Sequence, residues 1–252
     1  MQYSGKFVEN YDLIFSKKDY NSETEFILNA HNMYSEHKLK NILDIGCGTG
    51  THSHILASET EANIHGFDTS AEMIKMANKK YNKILNCSFS ENNIPDLNYD
   101  LVISMFYVVN HILSLSDLEN YFKLASSNCR EEGIFIFDCF NGVAALRDPP
   151  RRSFNTRASG KNFKVVTTSL PENDLFNSLT HIKNSASIYD REGLVEEFHY
   201  DLKHVLWTPF FLQEVAKKYK FEIIGVYKPY KLDEKATIDD YKIVYIYKKR
   251  EK

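Results

Sequence analysis

The chain has 252 residues, of which 43% are hydrophobic, and this is enough to build one sizeable core. Its 31 basic and 34 acidic residues are well mixed and leave a net charge of −3, which excludes the large positive field of a nucleic-acid-binding protein. The sequence has no run of about 20 apolar residues, so we expect no membrane partner and a cytoplasmic location. The four cysteines form no C-x-x-C pair, which favours reduced thiols.

The first 39 residues are predicted to form a helical lid. Ser22 and Glu25 have the spacing of a capping box, which predicts a helix that begins at Ser22. The apolar spacing places four residues on the inner side of this helix: Phe26, Ile27, Ala30 and Met33.

A short apolar strand, Asn41–Ile45, runs into three alternating glycines at positions 46, 48 and 50. The dinucleotide-binding fingerprint G-x-G-x-x-G would place its third glycine at position 51, where this chain has Thr51. A pyrophosphate cradle is therefore disfavoured. Bare backbone at Gly46 and Gly48, followed by free amides at the start of a helix, suits a ligand that carries a carboxylate instead.

A second predicted strand, Asn63–Phe67, ends in Asp68, which lies 22 residues beyond Gly46. In nucleotide-binding folds an acid about 20 residues after the glycine loop accepts hydrogen bonds from the ribose hydroxyls. Asp68 is also placed to cap the helix that begins near Ser70. The two roles are compatible, and we predict a ribose contact.

These segments resemble motifs of the class I S-adenosylmethionine-dependent methyltransferases. The resemblance rests on LDIGCGTG at residues 43–50, the acid at Asp68, YDLVIS at residues 99–104 and GIFIFD at residues 133–138. It implies an α/β, Rossmann-like fold with a seven-stranded, mostly parallel sheet whose last strand is antiparallel. It also implies S-adenosylmethionine as the cofactor. NYDLIF at residues 10–15, followed by Lys18-Asp19-Tyr20, resembles the lead-in of the nucleotide-sugar N,N-dimethyltransferases.

The resemblance implies a set of cofactor-binding residues in the lid, the glycine loop and the turns after the next strands. One turn departs from the family pattern, because Ser88 stands where an Asp commonly binds the adenine amino group. A sulfonium is attracted to aromatic faces, for which Tyr11, Tyr20, Phe89, Phe106 and Phe140 are candidates. The predicted cofactor-binding residues are Tyr11, Tyr20, Asp44, Gly46, Cys47, Gly48, Asp68, Thr69, Met73, Ser88, Phe89 and Met105.

Methyl transfer from a sulfonium requires chiefly that donor and acceptor be aligned in a dry pocket. An amine acceptor needs only to lose its proton, whereas a hydroxyl acceptor benefits from a general base. His111, just beyond the strand at residues 99–104, is the first candidate for that base, and Tyr107 is the second. The alternative for His111 is a polar residue that caps the next helix or closes the cavity.

The rest of the chain divides into helices and an antiparallel insertion. Ser116 and Glu119 predict a second capped helix, and Thr208-Pro209 predict the start of a third. Two segments near residues 163–168 and 195–202 alternate with period two and predict an antiparallel β insertion after the fifth strand. We therefore expect a single domain with a lid (1–39), a cofactor-binding core (40–140), an acceptor-binding insertion (141–205) and a final helix and strands (206–252).

Basic residues cluster where this insertion begins. Six of them lie within 18 residues that contain only one acid, Asp148. Arginine forks match phosphate geometry, so the cluster indicates a phosphate-bearing acceptor, and the alternative is a solvated loop. The basic residues are Arg147, Arg151, Arg152, Arg157, Lys161 and Lys164. The predicted substrate-binding residues are Asp138, Phe140, Arg151 and Arg152.

The sequence thus predicts a methyltransferase for a small acceptor that is phosphate-bearing or nucleotide-linked. The methylated atom would be a sugar nitrogen or oxygen, or a phosphoryl-linked oxygen of a surface-glycan precursor. The alternatives are a cofactor-binding partner protein without catalysis and an NAD-dependent dehydrogenase. We expect no metal, because His52, His54, His199 and His204 lack a third ligand at a recognisable spacing. The oligomeric state stays open between a monomer and a homodimer.

Overall fold

The computed structural model describes residues 4–159 and 162–251. Within these residues the strands are β1 Asn41–Ile45, β2 Asn63–Phe67, β3 Cys87–Ser90, β4 Tyr99–Ser104, β5 Cys129–Phe140, β6 Ser153–Ser159, β7 Phe163–Asp174, β8 Leu179–Tyr189, β9 Leu194–Val205, β10 Phe221–Tyr227 and β11 Lys242–Lys249. The helices are α1 Lys6–Glu9, α2 Tyr11–Ile14, α3 Tyr20–Tyr34, α4 Thr51–Glu59, α5 Ala71–Tyr81, α6 Leu115–Asn128, α7 Gly142–Arg147 and α8 Pro209–Lys218, with a 3₁₀ turn at Val108–His111.

Seven strands form the central sheet, in the order β10-β11-β5-β4-β1-β2-β3. The pairs from β5 to β3 are all parallel, whereas β11 is antiparallel to both of its neighbours. The strand order reverses beside β1, which lies between β4 and β2, and ligands of such sheets bind outside the carboxyl ends of the strands at this point. This arrangement confirms the predicted fold class, including the antiparallel last strand.

Both faces of the sheet are buried under helices, which explains the nearly continuous apolar runs of β4 and β5. One face packs against α6 and α8 through residues such as Phe122 and Phe135, and the other packs against α3 and α4 through residues such as Ile27 and Leu56. Each of these side chains is fully buried, which stabilises the fold by about 1.5–3 kcal/mol apiece. The two cores fix the sheet and therefore its carboxyl edge.

The strands β6 to β9 form a separate antiparallel sheet in the order β6-β7-β8-β9, inserted between β5 and α8. The predicted segments at 163–168 and 195–202 lie in β7 and β9. This insertion sheet shares a small apolar core with the N-terminal helices, in which Phe7 stacks on Tyr200 with ring centroids 4.1 Å apart. The lid therefore packs against the insertion sheet as well as against the central sheet.

Two helix starts differ from the prediction. The N-cap of α3 is Asp19, whose side chain accepts hydrogen bonds from the amide and hydroxyl of Ser22 at 3.1 and 2.7 Å. The N-cap of α6 is Ser114 and not Ser116. Met33, predicted to face inward, is 58% exposed. The predicted start of α8 at Pro209 is confirmed.

No helix in the part of the chain that the structure describes is both long and apolar enough to cross a bilayer.

Candidate active site

The glycine loop joins β1 to α4, and its three glycines have positive φ: 76° at Gly46, 54° at Gly48 and 82° at Gly50. The amide of Gly46 donates to the Phe67 carbonyl at the end of β2 at 2.7 Å, which holds the loop against that strand. A Cβ at Gly46 would lie 2.7 Å from the Val108 side chain. The backbone therefore approaches the turn after β4 more closely than any side chain would allow.

Asp68 lies directly after β2 and connects the glycine loop to α5. Its Oδ2 accepts a hydrogen bond from the Gly48 amide at 2.9 Å, and its Oδ1 accepts one from the Ser70 amide at 2.8 Å. The N-cap of α5 is Ser70, whose hydroxyl accepts from the Met73 amide. Burial raises the pKa of Asp68. Each carboxylate oxygen keeps a further lone pair for a ligand hydroxyl, so the geometry suits the predicted ribose contact.

A cavity of about 540 Å³ opens between the glycine loop, Asp68, the turn after β4 and the lid. Its size falls within the range of roughly 300–1,000 Å³ that is typical of small-molecule sites. The cavity is lined by eleven of the sequence-predicted residues: Tyr11, Tyr20, Gly46, Cys47, Gly48, Asp68, Thr69, Met73, Met105, Phe106 and His111.

Three residues predicted to bind the cofactor do not line this cavity. Asp44 is buried beneath the loop, where its Oδ2 accepts a hydrogen bond from the Ser53 hydroxyl of α4 at 2.7 Å. The exposed Ser88 bonds to Nδ1 of His65 at 2.9 Å, and Phe89 packs under the glycine loop. Side chains alternate along β3, so these two residues lie on opposite faces of the sheet, and neither of them lines the cavity. Their placement does not support direct cofactor contacts.

Other cavity residues come from elements that the sequence did not connect with the loop. His52, in the first turn of α4, lines the cavity and bonds through Nε2 to the buried Glu23 of the lid at 2.7 Å. Lys18 pairs with the other oxygen of Glu23. Although burial opposes ionisation, the bond to His52 and the charge of Lys18 lower the pKa of Glu23. The helix α6 contributes Asn120, Tyr121 and Leu124.

The two candidate bases are placed differently. The His111 ring lines the cavity and meets the ring of His204 edge-on, with centroids 4.5 Å apart. Burial lowers the pKa of His111 to about 4, so its imidazole is neutral at pH 7. Tyr107 does not line the cavity, because its ring stacks on Phe140 at 4.5 Å, and burial raises the pKa of its hydroxyl.

The lid is fixed to the core beside the cavity. Asp12 accepts a hydrogen bond from the Thr49 hydroxyl at 2.6 Å and pairs with the Lys80 ammonium at 2.7 Å. The amide of Gly5 donates to Glu72 of α5 at 2.6 Å. These bonds hold Tyr11 over the glycine loop.

The residues predicted to bind the acceptor are dispersed. Arg151 is exposed, pairs with Asp148 at 2.5 Å, and lines a second cavity of about 250 Å³ between α2 and the insertion sheet. Arg152 is exposed. Lys161 lies outside the described residues. The second cavity is lined by Ile14, Phe15, Pro150, Arg151, Ser153, Asn155, Thr167, Ser169, Pro171, Ile182, Asn184, Tyr200 and Leu202.

Asp138 and Phe140, at the end of β5, line neither cavity. Asp138 is fully buried, and both of its oxygens accept hydrogen bonds from other residues of the chain, the Tyr107 amide and the Tyr230 hydroxyl. The ring of Phe140 packs on Tyr107 and His204. The placement of these two residues does not support direct acceptor contacts.

The first cavity fits S-adenosylmethionine. The amides of the glycine loop bind the end of β2 and Asp68, and they form no pyrophosphate cradle. Asp68 offers a carboxylate to ribose hydroxyls, and Tyr11, Tyr20 and Phe106 offer aromatic faces to a sulfonium. The donor set therefore matches an adenosyl sulfonium better than a dinucleotide.

Comparison with known sequences identifies the family. Residues 36–193, more than half of the chain, match the methyltransferase domain. The chain is 27% identical over 133 residues to a putative methyltransferase of Geobacillus sp. strain WCH70, which covers 51% of this chain and 53% of that protein. It is 24% identical over 139 residues to the dTDP-3-amino-3,6-dideoxy-alpha-D-glucopyranose N,N-dimethyltransferase of Streptomyces fradiae, covering 54% of each. The chain spans about half the length of these curated relatives.

Solved structures share the whole fold. An S-adenosylmethionine-dependent methyltransferase from Clostridium acetobutylicum aligns with a TM-score of 0.80 at 22% identity, covering 98% of both chains. DesVI of Streptomyces venezuelae aligns with a TM-score of 0.80 at 15% identity, covering 99% of this chain and 100% of that one. With the match over residues 36–193, the chain belongs to the methyltransferase domain family.

Proposed function

We propose that the protein methylates a small acceptor that carries a phosphate or a nucleotide, at a sugar nitrogen or oxygen or at a phosphoryl-linked oxygen of a surface-glycan precursor. The observation that supports this proposal is the second cavity, which is lined in part by Arg151. Phe15 lines the second cavity, and its ring meets Phe106 of the first cavity with centroids 4.9 Å apart. We therefore place the phosphate-bearing end of the acceptor in the second cavity, and its reacting atom must extend past these two rings into the first cavity to meet the methyl group.

The chemistry of the second cavity suits such an acceptor. Its polar lining consists mainly of uncharged hydroxyl and amide groups, among them Thr167, Ser169 and Asn184. Uncharged groups of this kind form hydrogen bonds with sugar or base edges. Arg151 supplies a guanidinium, whose planar fork matches the oxygens of a phosphate.

The cofactor would be held by the glycine loop, Asp68 and the aromatic residues of the lid. When bound, S-adenosylmethionine supplies a methyl group that is already activated by its sulfonium. Asp68 binds the ribose, and Tyr11 and Tyr20 exclude water from the cavity. His111 contributes a neutral imidazole that can accept a proton at the cavity wall.

The low pKa of His111 favours a nitrogen acceptor. A general base works best when its pKa lies near the working pH, and burial lowers the pKa of His111 to about 4. Such an imidazole is a weak base for a hydroxyl group, whereas a neutral amine is nucleophilic without one. The names of two similar proteins agree with this inference, the dTDP-aminosugar N,N-dimethyltransferase and the sugar N-methyltransferase KedS8, which aligns with a TM-score of 0.75 at 16% identity.

The test is an assay of S-adenosylhomocysteine release with a panel of acceptors: nucleotide-linked amino sugars, nucleotide-linked neutral sugars, sugar phosphates, and the same sugars without phosphate. We expect turnover with a phosphate-bearing amine. Arg151→Gln should raise the KM for that acceptor about tenfold, the cost of one charged hydrogen bond. Arg191→Gln is the matched control, because Arg191 is an exposed arginine in the β8–β9 hairpin, and it should leave KM unchanged. Equal turnover of the phosphate-free sugars would contradict the proposal.

A further inference from the structure

The turn after β4 has an unusual backbone. Phe106 and Tyr107 are consecutive residues other than glycine, and both have positive φ, 74° and 63°. Residues with side chains rarely adopt this conformation, and they keep it only where their surroundings impose it. A specific contact must therefore hold this turn in place.

The turn forms one wall of the cofactor cavity. Phe106, Val108 and His111 line the cavity, and Val108 packs against the bare backbone of Gly46. Any relaxation of the Phe106–Tyr107 backbone would move these three side chains relative to the glycine loop. The conformation of the turn thus determines the shape of the cofactor site.

Asp138 holds this turn from the neighbouring strand β5. Its Oδ1 accepts a hydrogen bond from the Tyr107 amide at 2.8 Å, at the point where the backbone is strained. Its Oδ2 accepts one from the Tyr230 hydroxyl at 3.0 Å. A second hydrogen bond links β5 to the same turn with its donor on the strand: the Phe140 amide donates to Oδ1 of the buried Asn110 at 2.9 Å.

We propose that Asp138 is a positioning residue: its carboxylate holds the Phe106–Tyr107 turn in its strained conformation and so places Phe106, Val108 and His111 against the cofactor. This role replaces the acceptor contact predicted from the sequence. It concerns cofactor binding alone, so its test does not depend on the identity of the acceptor.

The chain contains a reporter and a matched control for this proposal. Its single tryptophan, Trp207, donates from Nε1 to the Val109 carbonyl within the turn at 3.2 Å, so its fluorescence senses the position of the turn. Asp100 is also a buried carboxylate that accepts backbone hydrogen bonds, from the amides of Lys40 and Asn41. It lies at the opposite end of β4, away from the cavity, so its loss should destabilise the fold without moving the turn.

The experiment measures the Kd for S-adenosylhomocysteine by calorimetry and the Trp207 emission, with circular dichroism to establish that each variant is folded. Asp138→Asn keeps an acceptor for the Tyr107 amide and should retain the wild-type emission and a Kd within about threefold of wild type. Asp138→Ala should weaken binding about tenfold or more and shift the Trp207 emission. Adding Tyr107→Gly to Asp138→Ala should recover most of the affinity, because glycine adopts positive φ without strain. Asp100→Ala should lower the Tm while Kd and emission stay as in the wild type.

Three results would overturn the proposal. Asp138→Ala could bind as the wild type does, Asp138→Asn could lose as much affinity as Asp138→Ala, or Asp100→Ala could reproduce the Asp138→Ala loss of affinity and its emission shift. If Asp138→Ala does not fold, the Asp138→Asn variant and the double variant test the proposal. A tenfold loss of affinity in Asp138→Asn would overturn it, because the hydrogen bond to the Tyr107 amide would then not be enough to hold the turn.

Discussion

At the scale of single residues, Asp68 both holds the glycine loop in place and faces the cofactor cavity. It accepts hydrogen bonds from the Gly48 and Ser70 amides, and it presents its remaining lone pairs to the cavity. We expect Asp68→Ala to weaken S-adenosylhomocysteine binding by about 100-fold, because two hydrogen bonds to a charged group are lost. Asp96→Ala, at an exposed acid before β4, should leave the affinity unchanged. Calorimetry on both variants measures the effect, and equal affinities would rule out the ribose contact.

The buried histidines make stability depend on pH. Burial lowers the pKa of His111 from 6.5 to about 4 and that of His204 well below its usual value. Both therefore stay neutral in the folded chain at a pH where the unfolded chain binds protons. Above about pH 6.5 each histidine is neutral in both the folded and the unfolded chain, and the free energy of unfolding is highest. As the pH falls from 6.5 toward 4, the free energy of unfolding decreases by up to about 1.4 kcal/mol per pH unit for each histidine.

Urea unfolding at a series of pH values between 7 and 4.5 checks this expectation. His204→Gln should reduce the slope of the unfolding free energy against pH, whereas His37→Gln, at an exposed histidine, should not. A slope that is the same in all three proteins would contradict the assignment of buried, neutral histidines.

At the scale of the elements, the lid contributes Tyr11 and Tyr20 to the cofactor cavity. Asp12 is its link to Thr49 and Lys80, and the pair with Lys80 is partly exposed. A bond of this kind contributes about 1 kcal/mol or less, so Asp12→Ala should weaken S-adenosylhomocysteine binding only about three- to fivefold. Hydrogen exchange of the α1 and α2 amides should become faster, while Asp233→Ala, at an exposed acid, should leave exchange as it is. Unchanged lid exchange in the Asp12 variant would show that other contacts hold the lid.

The regular elements, the glycine loop and the start of α8 could be predicted from the sequence, whereas the starts of α3 and α6 and the distant cavity walls could not. The apolar runs before Gly46 and Asp68 predict parallel strands, and the side chains at their carboxyl ends must meet. Near the start of α3 and of α6, two polar residues could each serve as the N-cap. The structure uses Asp19 and not Ser22 for α3, and Ser114 and not Ser116 for α6. His52 and the α6 residues reach the cavity only through tertiary packing, so no local spacing could connect them with the loop.

At the scale of the whole molecule, the described residues form two adjacent cavities. The first cavity lies at the glycine loop of the central sheet. The second cavity lies between the insertion sheet and the lid. Phe15 and Phe106 lie between the two cavities. The family resemblance indicates the cofactor because the shared fold builds the first cavity. It does not indicate the acceptor, which we propose binds in the second cavity against the insertion sheet.

The central claim is that the first cavity binds an adenosyl sulfonium and not a dinucleotide. Calorimetric titration of the wild-type chain with S-adenosylhomocysteine, and separately with NADH, tests it most directly. We predict saturable binding of S-adenosylhomocysteine to a single site per chain and no heat with NADH. Absence of S-adenosylhomocysteine binding by the folded protein, or tighter binding of NADH, would contradict the account.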